Sequence, residues 1–125
     1  MTRDKPLIYV AHPYGGNETN KSKVDKIMST LVTMDPAHVY VSPIHNFGMV
    51  YFDKEYAKGL EICLNLLEQC KGIILWGDWQ YSKGCIGEWA YSTARGKKIY
   101  TLSEWMSKQK IGIEVAIWQE GNTYI

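Results

Sequence analysis

A chain of 125 residues that is 46% hydrophobic and 22% charged has the composition of one folded domain, residues 1–125, with core enough to need no staple, and it is not a disordered segment. Fourteen basic against thirteen acidic side chains leave a net charge of +1, which argues against a surface built for a nucleic-acid polymer or an anionic membrane. No apolar run approaches the roughly 20 residues of a membrane span, and three cysteines without close pairs give neither a disulfide framework nor zinc-ligand spacing.

The expectation is therefore a reduced, cytoplasmic domain, with no signal peptide, no metal and no cofactor. Aromatics are abundant for the length, with five Trp and nine Tyr, so some of those rings line a pocket or a subunit interface.

Residues 7–11 are a compact apolar run of strand formers and predict a buried strand. His12-Pro13-Tyr14-Gly15-Gly16-Asn17 must be a loop, because Pro and paired Gly do not continue a strand. From Glu18 the period turns helical. Val24, Ile27, Met28, Leu31 and Val32 share one face, with Lys21, Lys23, Asp25 and Lys26 mostly opposite, and Asp35-Pro36 ends the helix. Residues 39–42 predict a second strand, stopped by Pro43, and residues 44–52 are expected to be irregular. A second helix is expected from Asp53 to about Cys70, burying Tyr56, Leu60, Leu64 and Leu67, widened by Ile62 and Cys63. Residues 73–76 have the continuous apolar signature of a strand covered on both faces. A loop over 77–84, a helix over 85–95 closed by Gly96, and a strand over 98–102 follow, and Ser103 is expected to cap a short helix from Glu104. Beyond these, Ile113, Val115 and Ile117 alternate as in a strand, residues 119–122 have turn composition, and Trp105, Trp118 and Tyr124 offer a subunit interface.

Alternating strands and helices predict an α/β fold in which helices cover both faces of a central, mainly parallel sheet. Ligands in such sheets sit beyond the carboxyl ends of the strands, where the loops 12–17, 43–51 and 77–84 arrive. Gly15 and Gly16 precede a helix and fit either an anion cradle or an ordinary strand-to-helix turn; the segment lacks both the P-loop ending and the dinucleotide glycine spacing. The loop 77–84 opens the helix that carries Glu88, whose positive end favours an ionised carboxylate able to attack an electron-poor carbon; the alternative is a surface acid placed by the same dipole. Ser82, Lys83 and the amides after Gly84 are donors for a hydroxyl or a phosphate. His12 and His45, each beside Pro in ligand-facing loops, suit acid–base or structural roles equally, and Trp79 suits stacking on a base or lidding the core. The cysteines read as core residues, and His38 receives no role.

Four segments carry a family resemblance: Tyr9-Val10-Ala11-His12-Pro13-Tyr14-Gly15-Gly16, Ser42-Pro43-Ile44-His45, the run from Gly77-Asp78-Trp79-Gln80 through Tyr81-Ser82-Lys83-Gly84 to Cys85-Ile86-Gly87-Glu88, and Ala94-Arg95-Gly96-Lys97-Lys98-Ile99. Over nearly the whole chain the sequence resembles the nucleoside 2-deoxyribosyltransferase superfamily, and within it a branch of bacterial and phage proteins. The resemblance implies a flavodoxin-like three-layer sandwich, a homodimer or higher homo-oligomer, and cleavage or transfer at the N-glycosidic bond of a (deoxy)nucleoside or nucleoside monophosphate. It places Glu88 as the nucleophile of a covalent glycosyl intermediate, Tyr14 as the residue orienting that carboxylate or the sugar, and His12, Pro13, Gly15, Gly16, His45, Trp79, Ser82, Lys83 and Gly84 around the ligand.

Two departures qualify the resemblance. The family's Asp-Leu-Asn string, whose acid helps the base leave, is here Cys63-Leu64-Asn65, which makes Asp78 or His45 the candidate replacement donor. Ser82-Lys83-Gly84 is more similar to the nucleotide hydrolases and would suit a 5′-phosphate. The alternative on the same fold is a protein that binds or sequesters a nucleotide without cleaving it.

Overall fold

The computed structural model describes residues 4–48 and 56–111. Its first strand, β1 (Leu7–Ala11), leads through a turn into helix α1 (Glu18–Met34). Gly15 and Gly16 sit at φ +59° and +73°, a pair of values open to glycine at little cost, and the turn closes with the Asn17 amide donating to the Tyr14 carbonyl at 2.9 Å. Asn17 caps α1, its side-chain oxygen accepting from the amides of Thr19 and Asn20 at 2.7 and 3.1 Å. The helix buries Val24, Ile27 and Leu31 and half-buries Met28, whereas Val32, expected on the same face, is exposed at its edge.

Strand β2 (Val39–Val41) is followed by a short helix, α2 (Pro43–Phe47), in the part of the chain expected to be irregular. Pro43 stops the strand as anticipated but also starts the helix, since its fixed φ suits a first helical turn. Helix α3 (Tyr56–Glu68) then precedes β3 (Gly72–Leu75), all four of whose residues are buried. A 3-10 turn (Trp79–Tyr81) leads into α4 (Lys83–Ala94), and β4 (Lys98–Thr101) into α5 (Leu102–Lys108). Helix α5 starts two residues earlier than expected, because Thr101 rather than Ser103 is its cap: Thr101 Oγ1 accepts from the Glu104 amide at 3.2 Å, and the Glu104 carboxylate accepts from the Thr101 amide at 2.8 Å. The strand and turn expected within 113–122, and Trp118 and Tyr124, lie outside the described residues.

The four strands form one parallel sheet in the order β2-β1-β3-β4, with Tyr9 opposite Val41 on one side and Ile73 on the other. Alternation along β1 divides the core into two. Ile8 and Val10 pack with Val24, Ile27 and Leu31 of α1 and with Trp105 and Met106 of α5, while Tyr9 and Ala11 pack with Leu67 of α3 and Cys85 of α4. Helices therefore cover both faces, and the molecule is a flavodoxin-like α/β sandwich. No helix among the described residues is long and apolar enough to cross a membrane.

Candidate functional site

In this strand order the chain leaves β1 and β3 toward opposite faces, and a crevice opens between their carboxyl ends. A cavity of about 190 Å³, half-open to solvent, occupies that position. His12 and Tyr14 come from the end of β1, Ile44 and Phe47 from α2, Leu60 and Cys63 from α3, and Ser82 and Glu88 from α4.

Glu88 is the only charged side chain among the described residues that line the cavity. It lies in the second turn of α4, not at its mouth, and shares the buried face with Cys85 and Ser92, so it points into the sheet and is 5% exposed. Burial pushes its carboxyl from about 4.5 up to about 7, against a hydrogen bond from Tyr9 that lowers it. Burial thus outweighs the helix dipole on which the sequence reading relied for an ionised group.

The Tyr9 hydroxyl donates to Glu88 Oε2. Tyr9 is fully buried in β1, and its own pKa is raised well above 10 by burial first and the facing carboxylate second, so it stays a donor. Sequence reasoning gave the orienting role to Tyr14 and missed Tyr9. The available signal was a tyrosine in an otherwise aliphatic buried strand, since a buried hydroxyl needs a partner. Tyr14 lines the cavity and packs against the α1 side of the core.

Cys63 stands on the cavity wall beside this pair. Burial and then the Glu88 charge push its thiol up to about 11, against a hydrogen bond with Tyr9. Cys85, behind Glu88, is pushed up to about 12, by burial first. Both are therefore neutral thiols at physiological pH.

His12 is buried 4.1 Å from the Trp76 ring, and burial brings its pKa down to about 4, so the imidazole is neutral. Its Nδ1 donates to the Pro13 carbonyl at 2.8 Å, which leaves Nε2 as an acceptor. That nitrogen abuts Gly77: a Cβ built on Gly77, whose φ is +68°, would lie 2.5 Å from it. The glycine after β3 is what lets the two strand ends approach.

The structure therefore brings His12, Tyr14, Gly15, Ser82, Gly84 and Glu88 to one cavity. Ser82 caps α4, its Oγ accepting from the Cys85 amide at 3.3 Å. Pro13, Gly16, His45, Asp78, Trp79 and Lys83 do not line it. Gly16, Asp78 and Lys83 are exposed. Trp79 packs against the α3–α4 side of the core and Trp89, the lidding alternative. His45 faces α1, where Nε2 donates to Asp25 and Nδ1 lies 3.1 Å from Ser42 Oγ. The Ser42-His45-Asp25 chain has the residues of a hydrolytic triad, but Ser42 is 1% exposed and outside the cavity, so it fastens α2 to α1. Among the described residues no three His, Cys, Asp or Glu side chains group as metal donors.

The fold and the site together define a flavodoxin-like protein with one buried carboxylate in the crevice at the switch point of its sheet. Over residues 6–101 the chain matches the family described as Domain of unknown function (DUF4406), and it belongs to that family. Comparison with curated proteins and with solved structures found no match.

Proposed function

We propose that this protein cleaves or transfers at the N-glycosidic bond of a (deoxy)nucleoside or nucleoside monophosphate, with Glu88 as nucleophile. The observation that carries the reading is the Glu88 carboxylate, buried in the crevice, tied by Tyr9 at Oε2 and leaving Oε1 for a substrate carbon. N-glycosidic cleavage passes through an oxocarbenium-like transition state, which an adjacent carboxylate stabilises before bonding to it. Oε1 would attack the anomeric carbon as the carbon–nitrogen bond breaks and its electron pair leaves with the base. Water or a second base would then displace the glycosyl group from Glu88. Only the ionised carboxylate attacks, so the rate rises with pH through about 7.

No cationic side chain among the described residues lines the cavity, and Lys83 is exposed and off it, which favours an uncharged nucleoside over its monophosphate. Tyr81 at 89% exposure, beside the crevice, and Trp89 and Ile86 at 41% and 42% on the outer side of α4, support a homodimer or higher homo-oligomer.

The second reading, a protein that binds a nucleotide without cleaving it, is favoured by one specific observation. Among the described residues no second acid lines the cavity to protonate the leaving base. Incubation with a panel of deoxynucleosides and their 5′-monophosphates, followed by chromatography, separates the two. Free base from the native protein and none from Glu88→Ala supports the enzyme, with the glycosyl adduct on Glu88 visible by mass spectrometry. Ligand bound tightly and recovered intact supports the binder, and full activity in Glu88→Ala overturns the proposed nucleophile.

A further inference from the structure

A second cavity, of about 200 Å³, lies at the opposite end of the sheet, under α5. Three lysines from three separate elements reach its rim: Lys71 just before β3, Lys98 at the start of β4, and Lys108 in the last turn of α5. None of them is ion-paired with a described residue, and no carboxylate among the described residues lines the cavity. Its inner wall is the rings of Tyr100 and Trp105, whose centroids are 4.9 Å apart.

His38 also lines the cavity. It is fixed from behind, with Nδ1 donating to the buried Asp35 carboxylate at 2.8 Å and its ring edge-on to Trp105, and Nε2 has no partner among the described residues. Trp105 is held in turn by its indole N–H donating to the Tyr40 hydroxyl at 2.9 Å. The aromatic wall and the imidazole are therefore set in place before any ligand arrives.

Three lysines around one cavity, with no carboxylate among its described lining residues, concentrate positive charge locally in a chain of net charge +1, and such a patch attracts an anion. A phosphate monoester is a near-dianion whose three terminal oxygens accept several hydrogen bonds at once. We propose that this cavity is a binding site for a phosphate monoester, with its phosphate among Lys71, Lys98, Lys108 and His38 and its organic part against Trp105 and Tyr100. The site shares no lining residue with the crevice that holds Glu88.

Titration calorimetry on the full chain at low ionic strength tests this with inorganic phosphate, phenyl phosphate and phenol. Saturable binding of phenyl phosphate, with phenol silent, is expected, and inorganic phosphate should bind more weakly. Equal affinity for the two phosphates would support the anion site and assign it to free phosphate. Lys71→Ala, Lys98→Ala and Lys108→Ala combined should weaken binding at least about tenfold, as loss of several charge-assisted contacts requires. All three lysines are exposed, so the fold should survive, and Lys108→Glu alone repeats the test with one change. The absence of saturable binding, or equal affinity in the lysine variants, would overturn the proposal. None of the probes is an N-glycoside, so failure here leaves the proposed reaction standing, and Glu88→Gln should bind phenyl phosphate as the native protein does.

Discussion

Glu88 shows what a buried acid costs a fold. Its carboxyl titrates near 7 in the folded protein, against about 4.5 as an ordinary glutamate. At this residue the folded state therefore holds more protons between those two values, and the contribution of Glu88 to stability falls as pH rises through that window. Above it the charge must be carried inside the protein, at a cost of about 3 kcal/mol for a shift of this size. Glu88→Gln keeps an acceptor for the Tyr9 hydroxyl and carries no charge. It should unfold like the native protein at about pH 4, and be the more stable of the two by up to about 3 kcal/mol at about pH 8, as denaturant titration can measure. A difference in stability between Glu88→Gln and the native protein that is the same at both pH values would show that Glu88 does not titrate in this window. The placement of Glu88 at the carboxyl end of the sheet was readable in the sequence, because a glycine-bearing loop after a strand and a helix carrying an acid are local features. Tyr9 was not readable as its partner, because the pairing spans 79 positions and is made only when β1 and α4 pack.

At the scale of elements, legibility followed periodicity. Helix α1 is 17 residues long, enough for its apolar face to declare itself, and it runs up to the residue before Asp35-Pro36 as expected. Helix α2 is five residues long and has no period to read. Its cavity-facing residues are Pro43, Ile44 and Phe47, followed by Gly48 just after it, which turns His45 outward to Asp25 and removes it from the site. The contact of His12 with Gly77 was equally hidden, since it depends on how closely two parallel strand ends approach. Gly77→Ala meets both a positive φ and the His12 ring, and should cost at least about 2 kcal/mol in denaturant titration. Gly84→Ala is the control: its new methyl group meets only Ser82 Oγ at 3.9 Å, within a helix, and stability should stay within about 1 kcal/mol of native. Equal losses in the two variants would mean that the His12 contact does not constrain the strand ends.

For the whole molecule, the order of elements and the parallel sheet were legible because each strand is a short apolar run punctuated by Gly or Pro, and each long helix has its own stripe. What the pattern could not convey is how the sheet distributes charge between its ends. Asp78 and Lys83 lie at the carboxyl ends, yet both are exposed and off the cavity, whose lining among the described residues carries only the Glu88 charge. Lys71, Lys98 and Lys108 lie in unrelated parts of the sequence and converge only because β3, β4 and α5 meet at the other end. The two ends should therefore answer differently to salt. Raising ionic strength from about 0.02 to about 0.5 M shortens the screening length from roughly 20 Å to about 4 Å, which weakens exposed charge–charge attraction and leaves neutral contacts intact. Phenyl phosphate should bind several-fold more weakly in the high-salt buffer, because its partners are exposed ammonium groups. Base release from an uncharged deoxynucleoside should keep its kcat/KM within about twofold, because Glu88 is desolvated and its substrate carries no charge to screen. A turnover that fell as steeply with salt as phenyl phosphate binding would place a cation–anion contact in the crevice, and would point to a phosphorylated substrate there.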